Sequence, residues 1–107
     1  MSYKNYKQLV KKDLKTDQDI ELYLDIAIED YFQTGDKGQF LSSLRLVSDI
    51  KGGFTKLSKE TKLQREHLYT MLSGKGNPSF ENIMKIIKAF GYDIVIRPHK
   101  VTNVQAA

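Results

Sequence analysis

The chain of 107 residues has no cysteine and no tryptophan, and only two prolines and two histidines. Without cysteine there can be no disulfide, no thiolate zinc site and no cysteine nucleophile, a pattern that fits a reducing compartment. No apolar run approaches the roughly 18 residues of a membrane span, and no basic start leads into an apolar signal core. The expectation is therefore a cytoplasmic protein. His67 falls inside a helical pattern and His99 follows Pro98. Neither belongs to a set of base, carboxylate and nucleophile, so both read as surface residues. The "GKGN" stretch at residues 74–77 follows a helical pattern rather than a strand and lacks phosphate-loop spacing. These absences point to a protein that is not an enzyme and that uses no metal, cofactor or small-molecule substrate.

What is present is an ordinary globular composition, 40% hydrophobic and 28% charged, at a length that allows one small core. The net charge of +4 conceals a strong asymmetry. Residues 1–12 carry four lysines and no acid, residues 13–36 carry eight acids against one lysine, and residues 37–107 carry twelve bases against five acids. Such an arrangement suits a basic face for an anionic partner and a separate acidic face, although a solvated helix surface explains the acids equally well.

Hydrophobic periodicity divides the chain into five helices. Residues 1–15, rich in lysine and weakly periodic, read as a mobile or loosely docked arm. After Thr16 or Asp17, Ile20, Leu24, Ala27, Ile28 and Tyr31 recur at helical spacing among acids, and Gly35 closes this first, acidic helix. Asp36 with Gln39 resembles a capping box for a second helix that turns Phe40, Leu41, Leu44, Val47 and Ile50 inward and stops at Gly52 and Gly53. A third follows Thr55 as its cap, a fourth covers residues 64–72, and a fifth runs from a Ser79 cap to Gly91 with Phe80, Ile83, Ile86, Ile87 and Phe90 on one face. In "YDIVIRP", Tyr92, Ile94 and Ile96 alternate with Asp93, Val95 and Arg97, the pattern of one short β-strand that must find a partner in another chain or in the arm. The domain so defined spans residues 16–98, followed by a flexible tail at residues 99–107.

Residues 57–71, "LSKETKLQREHLYTM", hold the most specific pattern, and they place a helix-turn-helix unit at about residues 55–73. Leu57, Leu63, Leu68 and Met71 sit where two crossing helices need apolar contacts, Ser58 where a small residue lets them approach, and Lys62 where glycine usually makes the turn. With Leu68, Met71 and Leu72 inward, Glu66, Tyr69 and Thr70 point out, and Gln64 and Arg65 stand at the helix start. Those are the positions from which a recognition helix reads base edges in a major groove, arginine pairing best with guanine and glutamine with adenine. Lys56, Ser73, Lys75 and Asn77 lie where phosphate contacts are expected. An ordinary helical hairpin with a basic face is the alternative. The "SGKGNPS" turn that follows must end this helix and start the next at a fixed angle, with Phe80 and Ile83 closing the core beneath.

The run "LSKETKLQREHLYTMLSGKGNPSFENIMKIIKAFG" resembles the Cro/repressor-type helix-turn-helix antidote proteins of bacterial toxin–antitoxin modules, the HigA-like family, whose pattern LAxETGLxRExLYxxLS leads into a GNPxF turn. Upstream, "DIELYLDIAIED" and the following "GDKGQFLSSL" resemble that family's acidic first helix and its junction, so the likeness covers roughly residues 13–97. The resemblance implies an antitoxin that binds its own operator as a homodimer and neutralises a RelE/HigB-like, messenger-RNA-cleaving toxin. Such a toxin should be basic, which implicates Asp17, Asp19, Glu21, Asp25, Glu29 and Asp30 as toxin contacts. A dimer interface at Ile94, Val95, Ile96 and Arg97, or on the last helix, fits the need for paired half-sites. A stand-alone repressor of the same fold, and an interaction domain without DNA binding, are the competing readings.

Overall fold

A computed structural model describes residues 3–98. The tail at residues 99–107, with His99, lies outside the described residues. Two short 3-10 turns, Tyr3–Gln8 and Lys11–Asp13, precede five helices: α1 (Asp17–Thr34), α2 (Lys37–Ile50), α3 (Gly53–Thr61), α4 (Arg65–Met71) and α5 (Phe80–Phe90). The molecule is mainly helical, with five α-helices and no strand among the described residues.

Local chemistry sets most helix ends. Thr16 Oγ1 accepts the Asp19 N–H at 3.0 Å while the Asp19 carboxylate accepts the N–H groups of Thr16 and Lys15 at 3.1 and 2.9 Å, so α1 begins with a reciprocal capping box. Those backbone donors, Lys15 first, hold the Asp19 carboxyl below the usual carboxylate range. Asp36 accepts from the Gln39 N–H at 3.1 Å and Ser79 from the Asn82 N–H at 3.1 Å, but the capping box expected of Asp36 and Gln39 is only half made, since the Asp36 N–H donates to Thr34 Oγ1 at 3.1 Å. Gly35 and Gly91 close α1 and α5 in the left-handed conformation that glycine alone adopts without steric cost. Thr55 is not a cap. The cap is Gly52, three residues earlier, whose φ of 113° redirects the chain and lets α3 start at Gly53.

The core gathers where α2, α3, α4 and α5 meet. Leu44, Val47, Leu68, Leu72 and Ile86 have no exposed surface, and Leu57, Met71 and Phe90 are nearly as buried. α1 lies across α2 through Ile20, Tyr23 and Ala27, and the buried Tyr23 hydroxyl donates to Ser43 Oγ at 3.2 Å. The inward stripe of α1 is thus displaced from the expected one. Tyr23 belongs to it, while Ile28 and Tyr31 are 39% and 36% exposed at its flank, Tyr31 stacked on Phe40 of α2 with ring centroids 5.4 Å apart. Residues 6–14, expected to be mobile or loosely docked, pack against the body of the domain: Tyr6 and Leu14 join the core, and the Tyr6 hydroxyl donates to Asp30 at 2.7 Å.

Two further expectations are corrected. Residues 92–98 form no strand, and the arm, one of the two expected pairing partners, is wound into 3-10 turns that offer no extended edge. Instead the segment runs beside α1, where the Tyr92 hydroxyl donates to the Asp17 carbonyl at 3.2 Å and Arg97 pairs with Asp25 at 3.5 Å. Phe80 does not close the core. At the first position of α5 it precedes the buried Ile86, Ile87 and Phe90 and stays 70% exposed.

The "SGKGNPS" turn folds beneath the end of α4. Gly76 donates to the Ser73 carbonyl at 2.9 Å and is buried so tightly that a Cβ there would stand 2.1 Å from the Met71 carbonyl oxygen and 2.6 Å from that of Thr70. Its need for glycine is close approach, not a left-handed backbone; neither it nor Gly74 has positive φ, and a Cβ at Gly74 meets nothing within 4 Å. The Gly76→Ala variant should therefore lose about 2–3 kcal/mol of stability, whereas Gly74→Ala should stay within about 0.5 kcal/mol of the parent. Urea unfolding of the two variants side by side reads the contrast, and equal midpoints would contradict the packing described.

Candidate nucleic-acid and partner surfaces

α3 and α4 are joined by residues 62–64, and the corner is made by Lys62 at φ 67°, ψ 15°, the one non-glycine residue with positive φ among those described. Its N–H donates to the Ser58 carbonyl at 2.9 Å and closes α3. Ser58 Oγ in turn donates to the Leu63 carbonyl, so a hydroxyl at the small crossing position ties the two sides of the corner together. Thr61, only half apolar, is buried without penalty: Oγ1 donates to the Leu57 carbonyl at 2.8 Å and accepts the Leu63 N–H at 3.2 Å. Leu57, Leu68 and Met71 then lie inside on both arms of the corner.

Burial of Leu68, Met71 and Leu72 turns the opposite face of α4 outward. Gln64, at the N-cap, and Arg65, Glu66, Tyr69 and Thr70 are all exposed, and the last four share one side of the helix. Tyr69 is anchored at its base by the edge of Phe54, centroids 4.6 Å apart, and keeps 53% of its surface open. The four positions expected to meet phosphate divide into two kinds. Lys56 and Lys75 are exposed and enter no ion pair among the described residues. Ser73 Oγ donates to the Thr70 carbonyl at 2.9 Å, and the Asn77 side chain accepts from Lys37 Nζ at 3.0 Å, so both are spent on fixing the turn. Sequence reasoning passed over Lys37, which reaches this turn from the start of α2, and the exposed Lys59 and Lys62 of the corner itself. The signal for Lys59 and Lys62 was the charge of residues 51–75, six bases against two acids.

The six acids of α1 do not form one open surface. Asp17 pairs with Lys51 at 3.1 Å, whose ammonium also sits 5.2 Å from the centre of the Tyr92 ring. Asp19 closes the capping box with Thr16, Asp25 holds Arg97, and Asp30 accepts from Tyr6. Burial and the neighbouring Asp30 push the Tyr6 hydroxyl well above its ordinary pKa, so it remains the donor. Glu21 and Glu29 alone of the six are exposed and without a hydrogen bond or ion pair among the described residues. Of the residues assigned to dimerisation, Val95 and Ile96 are 78% and 94% exposed, Arg97 is engaged by Asp25, and Ile94 turns into a groove.

That groove was not foreseen. It has a volume of about 410 Å³ between the end of α1 and the start of α5, and Ile28, Tyr31, Phe32, Phe80, Ile83 and Ile94 line it. Periodicity assigned Ile28, Tyr31 and Phe80 to the core, and only Phe32, apolar but off the inward stripe, signalled an open apolar surface.

Residues 5–98 match the family model described as probable addiction module antidote protein. An uncharacterized protein of Haemophilus influenzae is 30% identical over 89 residues, a span of 82% of this chain and 86% of the relative. No solved structure matches.

The strained corner yields a direct check. An L-residue in the left-handed region costs about 1–2 kcal/mol, so Lys62→Gly should raise stability by about 1 kcal/mol after the greater backbone freedom of unfolded glycine is deducted. Thermal and urea unfolding measure it; a destabilised variant would show that the Lys62 side chain stabilises the corner by contacts of its own.

Proposed function

Because the chain belongs to the family of probable addiction module antidote proteins, which implies a toxin partner of some kind, we propose that it is the antitoxin of a type II toxin–antitoxin module. It neutralises a RelE/HigB-like, messenger-RNA-cleaving toxin by direct binding, and it represses its own operon by binding operator DNA through a Cro/repressor-type helix-turn-helix. It acts in the cytoplasm by binding alone, without catalysis or cofactor.

One observation carries the DNA half of this reading. A rigid corner holds a short helix whose whole outward face, Arg65, Glu66, Tyr69 and Thr70 with Gln64 at its start, is open to solvent, with the exposed cations Lys56 and Lys75 on either side. In this reading Arg65 and Gln64 address base edges from the helix start, while Lys56 and Lys75 meet phosphates and set the register. The α4 helix has seven residues and spans only about 10 Å, too little to specify an operator alone. A homodimer that places two copies in successive major grooves supplies the missing contacts, and the exposed Val95 and Ile96 are suited to join the copies.

A stand-alone repressor of the same type is the second reading. It is favoured by the intramolecular engagement of Asp17, Asp19, Asp25 and Asp30, which leaves only Glu21 and Glu29 of the acidic set without a hydrogen bond or ion pair among the described residues.

The DNA reading is tested with duplexes from the protein's own promoter and with random duplexes, by fluorescence anisotropy at several salt concentrations. Arg65→Ala should lose about 1–3 kcal/mol on the promoter duplex and far less on random DNA, whereas Lys75→Ala should weaken both alike and lower the salt slope by about one. If Arg65→Ala distinguishes the duplexes as well as the parent does, α4 is not the reading element.

A further inference from the structure

The groove between the end of α1 and the start of α5 is an apolar feature that the fold leaves open. Phe80 is 70% exposed at a position where a polar residue would serve the helix equally well, and Ile28 and Tyr31 turn toward the same space. Apolar groups held open by a well-packed frame mark a surface that another molecule covers. The frame is firm here: Tyr31 stacks on the buried Phe40 at 5.4 Å, and Lys37 ties the turn beside the groove to the start of α2.

The charges around the groove select the occupant. On α1, Glu21, Asp25, Ile28 and Phe32 follow one another at intervals of four, three and four residues, so acids continue the apolar stripe along one flank of the helix. Glu29 stands beside them without an ion pair among the described residues, whereas Glu81 in the first turn of α5 pairs with Lys85 at 3.5 Å, Asp25 holds Arg97, and Lys37 in the groove lining donates to Asn77. A second copy of the chain does not fit. Two-fold pairing over this groove would bring together two α1 helices from a segment with net charge −7, and like charges across an interface are unfavourable. A cationic partner does fit, with apolar side chains spaced to enter the groove and bases to meet its acidic rim.

We propose that this groove is the docking site for the toxin and that it receives the apolar face of a basic amphipathic helix. The inference rests on the antitoxin reading above and gives it a site: the anchors are Phe80 and Ile28, and Glu21 and Glu29 steer the approach from the rim. It moves the centre of the contact from the acids of α1, most of which are internally engaged, to the apolar floor beside them.

The experiment is calorimetric titration of the intact chain with the purified product of the reading frame next to its gene. Phe80→Glu and Ile28→Glu, both at exposed positions, should each weaken binding by roughly thirty-fold or more, as loss of an interface anchor does. Both should melt like the parent and keep its affinity for promoter DNA. Glu21→Lys should slow association several-fold, more at low salt than at high. If either glutamate variant is poorly folded, Phe80→Ala replaces it and must show the same loss. Should the parent bind the product and the folded groove variants bind as the parent does, the groove proposal is wrong while the antitoxin reading stands. If the parent does not bind the product at all, both fall together. Sedimentation that shows a parental dimer turned monomeric by Phe80→Glu, with the product still bound, would make the groove a self-interface and overturn the proposal.

Discussion

The outward face of α4 exists only because its inward face is buried. A seven-residue helix is far too short to persist alone in water, where helices below about 12–15 residues are marginal. It is held by Leu68 and Leu72, which keep no exposed surface, and by Met71 at 4%. Full burial of such side chains stabilises by about 1.5–3 kcal/mol each, enough to hold the helix in place against Leu57 of α3 and Ile86 of α5. Everything presented outward, from Arg65 to Thr70, takes its direction from that packing. The Lys62 corner and the Gly76 contact serve the same end, since one joins α4 to α3 at a fixed angle and the other seats the following turn directly under its last carbonyls.

Charge is distributed around this frame in a way that net values conceal. The acidic segment sums to −7, yet much of that charge works inside the fold. Asp19 closes the capping box of α1, Asp30 anchors Tyr6 of the docked arm, Asp17 meets Lys51, and Asp25 holds Arg97 of the C-terminal segment. The basic residues of the α3–α4 corner are used differently: Lys56, Lys59, Lys62, Arg65 and Lys75 all face solvent. The domain therefore presents a cationic corner on one part of its surface and, at the junction of α1 and α5, an apolar groove beside the acidic helix α1. The two partners proposed above, operator DNA and a basic toxin, would call for two such different surfaces.

Much of the architecture was legible in the sequence where its causes are local. Thr16, Asp36 and Ser79 act on backbone groups three residues away, and Gly35 and Gly91 satisfy a conformational demand at their own positions, so these boundaries could be read directly. The strain at Lys62 was legible for the same reason, as was the outward set on α4, which follows from the spacing of three buried residues. What depends on distant parts of the chain was not legible. Periodicity shows that α1 has an apolar side but not which of its residues the rest of the fold buries, so Ile28 and Tyr31 were placed in the core. Phe80 was misplaced because the helix stripe continues through it while the core does not. The strand at residues 92–98 failed because alternation specifies a side-chain pattern, and a strand also needs a neighbour. The internal pairing of four acids required knowing that the arm and the C-terminal segment both lie along α1.

The most direct measurement of the central claim is growth of a bacterial host that expresses the reading frame adjacent to this gene, with and without the present chain supplied from a second plasmid. The account predicts arrest by the neighbour alone and recovery when this chain is added. A neighbour that leaves growth unchanged, or an arrest that this chain does not relieve, would contradict the antitoxin assignment and leave a repressor acting without a toxin.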